Sequence, residues 1–397
     1  MRAREQGALA AVRGAHVADR PIVTASAGYL RTNHVTEFAF GQGSARTVVY
    51  PDIPDNVVSR VSFQWPIYTS GRVDALERAA AAEAQAVGAD IETTRADLRL
   101  EIVRAYWAAA TAREAVRVLE ESTARADAQL RDARQRFAVG LVPPNEVSSL
   151  EAQRSREQAQ LIEASNIRES TLVDLRRLIG ADPETVIELA DLLDQAGASS
   201  ASGASGAGAL VQEALERRPE RKALNLRLDG VEARQRAAMT ANKPIVAVGA
   251  GVDYANPNSR IFPRKGEWQE SWDVSVNVSW AFLDFGRIKA QVAEVAATAT
   301  ATRERIAEFD SVVAADIRQR LLDLDSSQAV VKAASDAVRS AAEARRVVGD
   351  RFAAGVATST DVVVAQVAML EAELARTRSL AGVRLAEARL HRSLGRP

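Results

Sequence analysis

The chain has 397 residues, room for one large or two to three ordinary domains, and its 51 Lys plus Arg against 52 Asp plus Glu leave a net charge of −1. That balance gives no basic footprint for nucleic acid, and zero cysteines exclude a disulfide framework, a Cys-ligated metal site and a Cys nucleophile. Three scattered histidines (His16, His34, His391), 5% aromatics and a 47% apolar fraction swollen by alanine point away from a metal centre and towards long helices.

The N-terminal stretch up to Arg20-Pro21 reads as a short helix without the apolar core of a signal peptide. Ile22 to Leu30 is a candidate strand, and Arg31 to Asn56 a loop rich in Gly, Pro, Asn and Ser. A second strand follows, with Val61, Phe63, Trp65 and Ile67 alternating against Arg60, Ser62, Gln64 and Pro66. After Gly71-Arg72 comes a helical pattern from Arg72 to Phe137, about 100 Å of helix at ~1.5 Å per residue. It stops at AVGLVPPNEV, with Gly140 as the expected C′ residue and Asn145 as the N-cap of a helix returning over Glu146 to Leu178. Ala181 to Ala209 ends in a Gly/Ser/Ala tract and reads as a flexible linker.

The second half repeats the first. A helix from Leu210 to Asn242, interrupted at Arg218-Pro219, leads into a strand over Ile245 to Tyr254 and a loop over Ala255 to Gln269. The next strand sets Val274, Val276, Val278, Trp280 and Phe282 against Asp273, Ser275, Asn277, Ser279 and Ala281. Gly286-Arg287 opens another long helix, which ends at AAGVATSTDV with Gly355 as the stop and Thr360 as the next N-cap, and the return runs from Asp361 to Leu394. Gly71 and Gly286 stand 215 residues apart, and the same offset pairs Trp65 with Trp280, Arg72 with Arg287 and RFAVG with RFAAG. The chain is a tandem duplication: 1–180 the first repeat, 181–209 a linker region, 210–397 the second. Met1 aligns inside the second-copy helix, so the given start is expected to lack the first half-helix and a signal peptide.

Each strand pair carries one apolar and one polar face, which packs either on a protein core or against lipid with the polar face to water. Strands of nine to eleven residues suit a tilted membrane strand, but four cannot close a barrel, so the membrane alternative requires other protomers.

The duplicated W-x-x-x-x-x-G-R junctions (Trp65 to Arg72, Trp280 to Arg287), the tips RFAVGLVPPNEV and RFAAGVATSTDV, and the ALERRPERKALNLRLDGVEARQRAAMTANKPIV helix together cover nearly the whole chain. In this arrangement the sequence resembles the TolC-like outer membrane factor family. The resemblance implies a mainly α fold with a membrane β-barrel portion, in which three protomers share one barrel and continue as an α-helical tunnel. It implies a conduit without catalytic residues, cofactor or metal, set in the outer membrane of a Gram-negative-type bacterium. Its implied partners are a periplasmic adaptor, an inner-membrane transporter and outer membrane lipid. Gly71, Arg72, Gly286 and Arg287 would form the barrel–tunnel junction; Phe63, Trp65, Val276, Val278 and Trp280 would face lipid. Gly140, Leu141, Gly355 and Val356 fall at tips that contact the adaptor in this family, although both glycines would stop their helices in any case. Asp361 matches one of two acidic positions ringing the entrance, or is a first-turn carboxylate favoured by the helix dipole. The second acidic position is Val364, and the basic latch residue of the family is Ala357, its acidic partner remaining as Glu146. The rival reading is a soluble or periplasmic helical-hairpin scaffold or adaptor.

Overall fold

A computed structural model describes residues 2–41, 43, 46–190, 193 and 206–396. Most of the Gly/Ser/Ala tract of the expected linker lies outside these residues. In chain order the elements are α1 (Arg2–His16), β1 (Ile22–Arg31), β2 (Phe38–Phe40), β3 (Thr47–Tyr50), β4 (Asp55–Tyr68), α2 (Arg72–Ala138) and α3 (Pro144–Ile179). There follow α4 (Ala207–Arg217), α5 (Pro219–Met239), β5 (Ile245–Asn256), β6 (Gln269–Ser279), α6 (Arg287–Ala353) and α7 (Ser359–Ser393). Two compact units form, one from Met1–Ala89 with Lys222–Ile306 and one from Asp90–Arg221 with Ala307–Pro397. This division cuts across the repeats, each unit taking part of both copies.

The duplication is visible in the elements: α2 and α6 are both 67 residues long. Their Ala-, Arg- and Glu-rich sequence favours helix, and i,i+3 or i,i+4 pairs such as Arg117 with Glu114 and Glu121, or Arg346 with Glu343 and Asp350, line their exposed faces and contribute little. Propensity alone does not hold such lengths; packing does. In the second unit Leu210 and Ala214 of α4 meet Val313, Ile317 and Leu324 of α6 and Leu390 of α7. Val116 and Leu119 of α2 meet Ala164 of α3 and Leu370 of α7. The buried positions are largely alanine, among them Ala109, Ala110 and Ala133, which lets the helices approach closely. Arg218 pins the α4–α5 break: its Nε donates to the Ser393 carbonyl at 2.5 Å and its Nη2 meets Asp316 at 2.5 Å.

In the first unit β1, β4, β5 and β6 form one antiparallel sheet in that order. Helices join the sheet at one end and hairpin loops close the other. The expected loop over Arg31 to Asn56 contains a small hairpin, β2–β3, because Phe38-Ala39-Phe40 and Thr47 to Tyr50 are short β-prone runs that pair with each other. β6 ends at Ser279, so Trp280 and Phe282 follow the strand rather than belong to it. Among the described residues, no helix is long and apolar enough to cross a membrane.

Candidate functional site: an outward apolar sheet and two helix tips

The register fixes which residues share a face. Val61 pairs with Val252 and Val252 with Trp272; Phe63 pairs with Ala250 and Ala250 with Val274; Trp65 pairs with Val248 and Val248 with Val276. One face therefore carries Val61, Val248, Val252, Val274, Val276, Phe63, Trp65 and Trp272, whereas Leu30 and Val58 fall on the opposite face. The other carries Ser62, Gln64, Gly249, Gly251, Asp253, Asp273, Ser275 and Asn277. In a water-soluble sheet the apolar face would be covered. Here the order is inverted: Gly249, Gly251 and Asp253 are buried, whereas Trp272, Val274, Val276 and Val278 are 65–75% exposed. The expected lipid-facing residues Trp65, Val276, Val278 and Trp280 all stand exposed, and Phe63, on the same face, is half-buried.

The exposed face is graded along the strands. Aromatics gather at both ends (Trp65, Tyr68 and Trp280 by the helices; Tyr29, Tyr254 and Trp272 by the loops), with valine, alanine and Phe63 between. Trp272 and Trp280 are eight residues apart, about 26 Å of strand at ~3.3 Å per residue. Tilted by the ~35–45° of a barrel strand this projects to about 20 Å, an apolar band flanked by aromatic girdles. The girdle by the helices is built twice in the same way. The Trp65 indole N–H donates to the Asp19 carbonyl at 3.0 Å, and that of Trp280 to the Asn242 carbonyl at 2.8 Å. Each acceptor lies three residues ahead of a strand.

The sheltered face holds an ion cluster that the sequence pattern alone did not reveal. Arg60 reaches Asp253 at 2.7 Å and Asp273 at 2.9 Å, and Arg260 from the β5–β6 loop reaches Asp273 at 2.8 Å. Gly251 makes room for it, since a Cβ there would run into the Arg60 guanidinium.

At the junctions the chain turns through two successive left-handed residues. Ser70 and Gly71 have φ of 54° and 78°; Phe285 and Gly286 have 53° and 90°. Only glycine takes the second without strain. Arg72 and Arg287 are the first residues of α2 and α6, both exposed. Sequence reasoning missed Asp284, which accepts from the N–H of Ile288 at 2.6 Å and of Gly286 at 3.2 Å, capping α6. These two N–H donors hold its carboxyl below the ordinary carboxylate range, Ile288 foremost.

The two tips, within the second unit, end their long helices identically. Gly140 N–H bonds to the Phe137 carbonyl and Leu141 N–H to that of Arg136; Gly355 bonds to Phe352 and Val356 to Arg351, all at 2.9–3.0 Å. With φ of 74° and 75° at the glycines, these are paired Schellman stops. Leu141 and Val356 are left 73% and 64% exposed. The returning helices start earlier than expected. α3 begins after Pro143 with no side-chain cap, because Pro144 suits the first helical position, so Asn145 is not the cap. α7 is capped by Thr358, not Thr360, in a capping box with Asp361: the Thr358 N–H donates to Asp361 at 2.8 Å and Asp361 N–H to the Thr358 hydroxyl at 3.2 Å. Asp361 is thus a first-turn carboxylate, its pKa lowered by the Thr358 N–H first and hydroxyl second. Glu146 is half-buried in the first turn of α3.

The sheet and long helices define a fold shared with solved outer-membrane channels. The outer-membrane channel OprN is matched with a TM-score of 0.79 at 18% identity, over 100% of this chain and 86% of that one, which shows the fold. The family model of the outer membrane efflux protein matches residues 1–181 and 210–396, and the chain belongs to that family. Its structural neighbours are channel proteins, not enzymes. The chain is 30% identical to protein CyaE of Bordetella pertussis over 235 residues, 58% of this chain and 47% of CyaE. It is 24% identical to the outer membrane protein TolC of Vibrio cholerae over 318 residues, 79% of this chain and 70% of TolC. The matched region thus spans under half the length of the first relative.

Proposed function

We propose that the protein is one of three identical protomers of an outer membrane exit duct serving an efflux or type I secretion system. The inverted sheet carries this reading: Val61, Phe63, Trp65, Trp272, Val274, Val276 and Val278 of its apolar face look out, small and charged residues look in apart from Ile22, Leu30, Val58 and Ile245, and aromatics stand at both ends. Such a surface is unfavourable in water and suits lipid. Lipid tolerates no open edge, and the outer edges of β1 and β6 are free to pair with further strands. Three copies of four strands supply a twelve-stranded barrel with the sheltered face lining its lumen.

The tips supply the other contacts. Leu141 and Val356, exposed beside Gly140 and Gly355 at equivalent turns, offer paired apolar knobs to a periplasmic adaptor that joins an inner-membrane transporter. Glu146 and Asp361 would stand near the periplasmic entrance, Asp361 combining its capping role with a carboxylate ring that favours cations. With Ala357 and Val364 where the family carries a basic latch and a second acid, closure rests on packing such as Leu130, Ala133 and Leu150 with Val147 and Val363.

Purified protein added to planar lipid bilayers tests the duct. Stepwise currents are expected, each step from one assembly, and their absence from protein shown to be folded would reject this reading.

A further inference from the structure

The β5–β6 loop does not project freely from the sheet. Asn258, 2% exposed, donates to the Gln269 carbonyl and the Ser271 hydroxyl at 3.0 Å and accepts from Arg260 N–H at 3.0 Å. Arg260 binds Asp273 on the sheltered face. The loop is therefore folded inward over that face, and it presents a second cation, Arg264, to a cavity of about 550 Å³ at the loop end of the sheet.

Arg264 differs from its neighbours in lacking an acid. Arg60 and Arg260 share Asp253 and Asp273, Asp52 is held by His34 at 2.7 Å, and Asp55 is held by the Tyr29 hydroxyl at 2.7 Å and by Arg31. Arg264 bonds only neutral groups, Nη1 donating to the Tyr50 hydroxyl at 3.1 Å and Nη2 to Asn56 Oδ1 at 2.5 Å, and its Nε is buried without a partner. Among the described residues no carboxylate lies within ion-pair distance of it. The guanidinium has five N–H donors; its charge is met only by the Tyr50 ring, 5.5 Å from its Cζ, and it remains under-committed in hydrogen bonds. The remaining wall combines apolar side chains (Leu30, Val35, Ile53, Val58) with the hydroxyls and amides of Thr32, Asn33 and Ser259. Such a lining accepts an apolar body with one charged end.

We propose that this cavity binds small organic carboxylates, the carboxylate on Arg264 and the apolar body against Leu30, Ile53 and Val58. The binding stands on the cavity alone. That the ligand is cargo on its way out rests on the duct reading, which places this face in the lumen.

The test is calorimetric titration of the full chain in detergent with benzoate, and with benzylamine as the cationic match in size. Benzoate is expected to saturate at one site per chain and benzylamine to show no saturable heat. Arg264→Gln should weaken benzoate by about tenfold or more, the loss of one charged hydrogen-bonding partner. Val58→Phe, which fills the cavity and keeps the cation, should weaken it too. Absence of saturable benzoate binding, equal binding of benzylamine, or unchanged affinity in either folded variant overturns the proposal. The native mass of the same sample reports separately on the duct.

Discussion

At the scale of single residues, the left-handed glycines are the positions where chemistry leaves least choice. Gly286→Ala, at φ 90°, is expected to destabilise the protein, whereas Gly88→Ala in the interior of α2, where an added Cβ meets nothing within 4 Å, should stabilise it by about 0.5–1 kcal/mol. Thermal melts of the two variants read the opposite signs. Thr358→Ala removes the cap of α7 and should cost about 1 kcal/mol, seen as faster amide exchange in its first turn. Because the folded pKa of Asp361 is lowered, its contribution is present above the ordinary carboxylate range and is lost as pH falls through that lowered value. The protection of these amides, the observed exchange rate corrected for the intrinsic one, should therefore fall on acidification in the wild type and less so in Thr358→Ala. The glycine stops were legible from sequence, since Gly ending a long Ala-rich run has few other uses. Thr358-x-x-Asp361 before three valines was legible too, as a capping-box signature, but Thr360 lay closer to the apolar run and drew the N-cap assignment instead.

Among the elements, the joint between α4 and α5 is where a single side chain ties distant segments. Arg218, 8% exposed, is bound to Asp316 of α6 and to the carbonyl of Ser393 at the end of α7. Arg218→Ala leaves both acceptors short of a partner and is expected to cost about 2–3 kcal/mol, measured by chemical denaturation, with Asp316 partly open to solvent moderating the loss. The sheet's polar–apolar alternation could be read directly from period two, and so could the two junctions. The β2–β3 hairpin could not, because strands of three and four residues sit below the length at which alternation shows. Nor could the Arg60–Asp253–Asp273–Arg260 cluster, which draws on residues 193 to 213 positions apart and depends on the register that brings β4, β5 and β6 together.

For the molecule as a whole, the claim is that the face of the sheet that looks wrong for water is right for lipid. Val276→Arg, in the middle of the apolar band, should cost about 2–4 kcal/mol of membrane stability and deplete the protein from the outer membrane. Asn277→Arg, one residue on and on the other face, should leave membrane placement unchanged, which fractionation and immunoblotting would show. Sequence alone left two homes open for such a sheet, a protein core or a bilayer, since alternation is the same in both; the exposure of the valines and the aromatics at both strand ends supports the bilayer. The free edges of β1 and β6 then require partners, and the most direct test is the native mass of the detergent-purified protein by light scattering corrected for detergent. Three times the 42.6 kDa chain is the mass expected of the assembled duct; a single folded chain, with its sheet edges unpaired, would contradict it.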